Sequence, residues 1–308
     1  MLTPDIRTPP GACYSTRMRS KPLRLALMVS VLALTVTVFS YYIVKHPELR
    51  TQLRHLSPRL VVGLLLLYAI QVIAIGLTVL YTVRLCDVRL GIRETLLLTI
   101  YTVVINFFGP LQSGPAFRGL YLKQKHGLKL KNFTLATFVY LGLYALFSGF
   151  FLLSGVLKWW LILVAILLLA IVFWLKSAQT PLAKRLQQLH WQSLAALSLA
   201  TLLQVWLIAV IYYTELRAVD PGVHISQAIT YTGAANFALF VAITPGAIGF
   251  RETFLVFSRH LHHISNNVIV AANLIDRSVY ILMLLILTAT IFGTHAQDKL
   301  RSKLTKPE

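Results

Sequence analysis

Six stretches of this sequence are apolar over lengths that suit a lipid bilayer, and no other feature constrains the fold as much. They cover residues 25–44, 60–83, 132–154, 159–175, 193–213 and 266–292. At about 1.5 Å of rise per residue each crosses a hydrocarbon core of roughly 30 Å, the shortest with some local thinning. In hydrocarbon every backbone N–H and C=O must be satisfied within the segment, so these stretches read as helices. The chain is therefore predicted to be an all-α polytopic membrane protein. A single transmembrane domain covers 24–293, between basic tails at 1–23 and 294–308. Composition agrees: 57% of residues are hydrophobic and 13% charged, with mean hydropathy +0.71, whereas a soluble domain has about 25% charged residues. This excludes a disordered chain, an ordinary cytosolic enzyme and, despite a formal charge of +19, a nucleic-acid-binding domain. It leaves no room for a separate soluble catalytic domain.

Two further apolar segments, 95–108 and 229–243, reach only about 21–23 Å as helices. The first breaks at Gly109-Pro110 and restarts near Phe117-Arg118. The second breaks at Thr244-Pro245-Gly246 and restarts at Phe250-Arg251-Glu252. The 29 Lys and Arg against 10 Asp and Glu decide how to count them, because cytoplasmic loops of membrane proteins are enriched in Lys and Arg. With the basic N-terminus inside and Arg277 counted within the membrane, eight full crossings leave 14 basic residues on each side. Six crossings plus two re-entrant, broken helical hairpins leave 20 inside and 8 outside, again without Arg277. The second arrangement is preferred, with eight full spans as the alternative. Both termini are then cytoplasmic in a multi-pass inner membrane protein, and the basic C-terminal tail anchors to anionic lipid. Residues 25–44 are too long for a signal-peptide core and lack a cleavage site, so they read as an uncleaved first span. Cys13 and Cys86, both placed inside, argue against a disulfide framework.

The two short segments resemble each other. Tyr101-Thr102-x-x-x-Asn106-Phe107, Pro110 and Phe117-Arg118-x-x-Tyr121-Leu122 answer to Tyr231-Thr232-x-x-x-Asn236-Phe237, Pro245 and Phe250-Arg251-x-x-Phe254-Leu255. Repeat units of about 95–154 and 227–292 follow, with three spans between the hairpins, so the second unit is inverted. Inverted repeats with broken helices that meet near the midplane are a transporter signature. Their free helix ends are tolerated only where they line a cavity or are buried in protein.

Charges inside such segments are costly and point to function. Arg118, Arg251 and Arg277 are candidates to bind a phosphate, since guanidinium pairs with phosphate bidentately. Glu252 and Asp276 are read as the only deep acids, holding the arginines or exchanging with the phosphate. The alternative is a purely structural set of ion pairs tying the hairpins to the last span, and for Arg118 also snorkelling to the interface. Asn106 and Asn236 either cap the breaks, with Pro110, Pro245 and Gly246, or bond between helices. Tyr140 and Tyr144 share one helical face and read as packing residues. His260-x-His262-His263 lacks an acid or Cys to complete a metal site and reads as a solvated loop. No metal or cofactor is expected.

Asn106-x-x-x-Pro110-x-x-x-Gly114-x-x-x-Arg118, the Thr244-Pro245-Gly246-Ala247-Ile248-Gly249-Phe250-Arg251-Glu252 element and Arg277 resemble the flippase-like membrane region of the lysylphosphatidylglycerol synthase family, over roughly residues 20–293. The resemblance implies movement of a lipid, or a lipid-linked precursor such as a polyprenyl phosphate, between leaflets. Two departures mark a divergent, stand-alone member. Pro115 replaces an acidic residue usual after the motif glycine, and residues 132–157 carry no charge where a Glu-Arg pair is usual. They remove carboxylates that a cationic headgroup would need and leave the headgroup open. The aminoacyl-transferase domain is absent, so no lysyl transfer is expected. No Gly-x-x-x-x-Gly-Lys-Ser/Thr occurs, which argues against direct ATP drive. Two competing readings are an intramembrane enzyme acting on a lipid phosphate through Glu252 and Asp276, and a non-catalytic scaffold for envelope-lipid biosynthesis, as a homo-oligomer or with a partner protein.

Overall fold

A computed structural model describes residues 57–108, 113–154, 191–241 and 250–304, all within the compact unit formed by residues 48–308. Every element among them is helical. In chain order these are α1 (Pro58–Arg84), α2 (Ile92–Phe108), α3 (Gly114–His126), α4 (Leu130–Leu153), α5 (Trp191–Val219), α6 (Ile225–Val241), α7 (Phe250–Phe257), α8 (Arg259–His262) and α9 (Asn266–Leu304). By length and apolar composition α1, α4, α5 and the Asn266–Thr294 part of α9 can cross a membrane. These are four of the six expected spans. The other two, 25–44 and 159–175, lie outside the described residues, as do Cys13 and the break residues Pro110, Pro245 and Gly246.

Local chemistry sets the ends. Ser57 caps α1, its Oγ accepting from the Leu60 N–H at 3.3 Å ahead of Pro58 in the first turn. Pro restricts the helix start no further, because the first N–H groups of a helix have no intrahelical partner. Helix α5 runs until Asp220-Pro221-Gly222, where proline cannot continue it. It is 29 residues long, well past the 193–213 expected. Helices α2 and α6 are both 17 residues, about 25 Å, and each is followed by a shorter helix beyond the break.

The most extensive helix contacts fall into matched pairs. Helix α1 packs on α2 and α4 as α5 packs on α6 and α9; α2 packs on α3 as α6 packs on α7; α3 packs on α4 as α7 packs on α9. Across the halves, α4 lies against α6 as α9 lies against α2, and α4 against α5 as α9 against α1. Exchanging α1–α2–α3–α4 with α5–α6–α7–α9 preserves every one of these contacts; α8, packed on α6 and α7, has no counterpart in the first half. The centre of the exchange is the α1–α5 pair, which runs antiparallel. Tyr68 in the first half of α1 reaches Glu215 near the end of α5, while Leu85 at the other end of α1 clusters with Leu197.

The cross-half contacts are close. A Cβ on Gly233 of α6 would lie 2.1 Å from the backbone nitrogen of Leu152 in α4, so only glycine permits this approach. Beside it Asn236 Nδ2 donates to Ser148 Oγ of α4 at 3.2 Å. On the matching side Phe107 of α2 meets Tyr280 of α9 with ring centroids 5.7 Å apart. The main core gathers Tyr68, Ile211, Tyr231, Leu255, Ile275 and Val279 from five helices.

Candidate functional site: an arginine-lined cavity between the halves

The helices leave a cavity of about 290 Å³. It is bounded by α1, α2, α3, α4, α5, α6 and α9, with Arg251 of α7 at its wall. That volume suits a phosphate headgroup rather than a whole lipid, since sites for drug-sized ligands span roughly 300–1,000 Å³. Five tyrosines line it (Tyr68, Tyr140, Tyr144, Tyr212 and Tyr280), together with Arg118, Arg251, Arg277 and Asp276.

One end is built around Arg251. Its Nη2 lies 2.8 Å from Asp276 Oδ2 and donates to Asn273 Oδ1 at 2.7 Å, and its guanidinium stands 5.0 Å over the Tyr212 ring. Asp276 is also bonded by the Tyr68 hydroxyl, which lies 3.4 Å from Glu215 Oε1 as well. Asp276, Glu215 and Arg251 are 4%, 1% and 5% exposed. Groups so thoroughly desolvated are tolerated only when paired or hydrogen-bonded, and here α5, α7 and α9 of one half and α1 of the other supply the partners. The expected ion pair tying the second hairpin to the last span is thus present, but it joins Arg251 to Asp276. Asp276 is turned to Arg251 although Arg277 is its chain neighbour.

The other end has no acid among the described residues. Arg118 of α3 is buried at 7% exposure and faces the cavity; among the described residues no hydrogen bond or ion pair engages it, and its Nε is unsatisfied. It does not snorkel to the surface. Tyr140 of α4 stands near it and donates to Gln204 Oε1 of α5 at 3.2 Å. Gln71 of α1, 6% exposed, also lines the cavity with its Oε1 unsatisfied.

The sequence expectations meet this geometry unevenly. Arg118, Arg251, Arg277 and Asp276 come together on one cavity, as does Asn106. Asn106 caps the restarted helix: its Oδ1 accepts from Gly114 N–H at 2.7 Å, and a Cβ on Gly114 would fall 2.5 Å from that oxygen. Asn236 instead bonds between helices. The side chain of Glu252 lies outside the described residues. Tyr140 and Tyr144 are cavity walls, not merely packing. The expectation that only Glu252 and Asp276 lie deep fails at Glu215. Helix α5 continues beyond residue 213, and the signal for this was the absence of any helix breaker before Pro221. The histidine tract is solvated at His260 and His263 but not at His262. His262 is 1% exposed, its Nε2 against Leu255 O at 3.1 Å and its Nδ1 accepting from Ile264 N–H at 3.2 Å. Both ring nitrogens are used within a tight turn after α7, where an apolar flank (Tyr231, Leu255, Ile264) buries the ring. No cluster of three or more potential metal ligands occurs among the described residues.

A helical membrane protein whose two halves enclose a cationic, tyrosine-walled cavity is the class that fold and site define. The chain belongs to the family of the lysylphosphatidylglycerol synthase TM region, whose sequence model matches residues 23–288. No curated protein and no solved structure matches it.

Proposed function

We propose that the protein moves a phosphate-bearing lipid, a phospholipid or a polyprenyl phosphate, between the leaflets of the cytoplasmic membrane. The observation that carries this reading is Arg118: a guanidinium buried on the cavity wall with no acid and no hydrogen-bond partner among the described residues. An unpaired buried cation is costly and is offset when a ligand anion arrives. The cavity accommodates the headgroup while acyl chains stay in the bilayer. In this reading α2–α3 and α6–α7 are the two hairpins of an inverted repeat, with six full spans and both termini cytoplasmic. The matched packing and the antiparallel α1–α5 pair support it. The protein acts without covalent chemistry, since Asp276 is committed to Arg251 and Tyr68. Movement is downhill or ion-coupled.

The test is reconstitution into vesicles with a fluorescent short-chain phospholipid or polyprenyl phosphate, followed by quenching of the outer leaflet. Wild type should equilibrate the probe, and Arg118→Gln should slow it at least tenfold while the protein stays folded. Movement unaffected by Arg118→Gln would sink the reading.

A further inference from the structure

Arg118 and Arg251 hold the same place in the two halves. Each follows a Phe in the Phe-Arg-x-x-aromatic-Leu sequence, on the helix after the break. Each lies against the helix that follows it in its half, Arg118 near Tyr140 of α4 and Arg251 on Asn273 of α9. Their surroundings differ in one respect. Helix α9 supplies a carboxylate, Asp276, at 2.8 Å from Arg251, whereas residues 132–157, which include most of α4, have no charged residue at all. Among the described residues the first arginine has no carboxylate to neutralise it.

We propose that Arg118 and Arg251 are alternative seats for one phosphate group, that only the Arg118 seat is open in this conformation, and that Asp276 is the internal anion holding the Arg251 seat shut. This rests on the lipid-phosphate reading and adds to it which site is loaded and what closes the other. The open seat is built. Arg118 and Gln71 are both more than nine-tenths buried, both line the cavity, and neither has a hydrogen-bond partner among the described residues. Tyr140 and Gln204, already bonded to each other, complete its wall. A guanidinium with a neutral amide and no carboxylate selects an oxyanion; the amide carbonyl also suits a phosphate that still carries a proton.

The closed seat is described by the same chemistry. A carboxylate and a phosphate compete for one planar guanidinium, so a phosphate reaches Arg251 only by displacing Asp276, which keeps its bond from Tyr68. The two seats lie at different levels of α1. Tyr68 beside the closed seat and Thr78, beside Tyr140 at the open one, are ten residues apart, about 15 Å, with Gln71 between them. In the proposal the ligand passes from one to the other along this wall.

The experiment is isothermal titration of the purified full chain in maltoside micelles with two probes, inorganic phosphate and dihexanoyl phosphatidate. Thermal unfolding of each variant checks its fold. Wild type should bind one probe per chain, and Arg118→Gln should weaken that binding at least tenfold. Asp276→Asn should bind two, and the double variant one. Undiminished binding by folded Arg118→Gln overturns the proposal, as does wild type binding two, or folded Asp276→Asn still binding one. Should Asp276→Asn fail to fold, wild type and Arg118→Gln still decide the open seat. Phosphatidate binding at least tenfold tighter than inorganic phosphate supports a lipid ligand. Equal affinity supports the seats with free phosphate as ligand and counts against the lipid reading. Seats that behave as stated in a protein that moves no lipid overturn translocation alone; lipid movement with Arg118-independent binding overturns the seats alone.

Discussion

Arg251 and Asp276 meet at 2.8 Å with both side chains 6% exposed, and they bring α7 and α9 together at the cavity wall. The pair converts two costly buried charges into a neutral unit, which fixes α7 to α9. The equivalent position in the first half is left cationic. The chemistry of the cavity follows from that asymmetry.

Breaking the pair from one side should be expensive. Asp276→Leu leaves the guanidinium buried without its carboxylate, and should lower stability by about 3–5 kcal/mol. The combined Arg251→Met and Asp276→Leu variant should recover most of the loss, because a well-packed apolar pair often matches a buried ion pair. Unfolding in mixed detergent micelles measures both. A double variant no more stable than the single would show that the pair is not an isolated unit.

Glycine matters where α4 and α6 cross. Gly233→Ala places a methyl 2.1 Å from the Leu152 nitrogen, and the backbone cannot swing aside. Overpacking of this kind costs about 1–3 kcal/mol or more. Gly142→Ala, with nothing within 4 Å of the new Cβ, should instead be neutral or stabilising by up to about 1 kcal/mol. Thermal unfolding of the two variants side by side checks the contrast.

The two repeat asparagines should respond differently. Asn106→Ala removes the cap on Gly114 N–H and should cost about 1 kcal/mol. Asn236→Ala loses a bond to Ser148 inside the bundle, worth about 0.6 kcal/mol. Hydrogen exchange read by mass spectrometry should show faster opening at the start of α3 for the first variant only.

Helices α2 and α3 are clasped outside the spans by Glu94, whose Oε1 lies 2.9 Å from Lys125 Nζ, 2.8 Å from His126 Nε2 and 2.8 Å from Tyr121 Oη. Burial raises this carboxyl, but the bonds from His126, Lys125 and Tyr121 outweigh it and bring it down to about 2 from 4.5. A depressed acid stabilises the fold fully above its unfolded value and loses that contribution as pH falls through the folded one. The stability difference between wild type and Glu94→Gln should therefore be constant above about pH 4.5 and shrink towards pH 2. A difference that grows on acidification would refute the clasp.

The topology is open to labelling. In a chain with Cys13 and Cys86 replaced, Lys123→Cys should react with an impermeant maleimide only from the cytoplasmic side, and Asp220→Cys only from outside. Eight full spans would reverse both. Native Cys86 is a slow target in any case, since burial pushes its thiol up to about 11.

Much of this was legible in the sequence because it depends on local pattern. Apolar length marked α1, α4, α5 and α9, and two shorter apolar runs marked α2 and α6. The repeated Asn-Phe and Phe-Arg spacings marked Arg118 and Arg251 as equivalents. Glu215 was missed because a hydropathy boundary was taken for a helix boundary, whereas a helix ends where its hydrogen bonding is interrupted, here at Pro221. His262 was misread because burial is a property of what packs on a residue, not of its neighbours in the chain.

The sequence by itself determined that the chain is a bundle of membrane helices with a repeated, broken, arginine-bearing unit. Hydrophobic length and backbone satisfaction in lipid act within each segment and need no knowledge of the rest. Which acid meets which arginine was decided only by the tertiary structure. Asp276 is next to Arg277 in the chain but points at Arg251. Gln71 and Gln204 come from helices more than a hundred residues apart. Arg118 has no acid beside it among the described residues because α4, not α9, lies against its helix. Side-chain partners depend on helix rotation and crossing, and those are fixed by packing between segments distant in the chain.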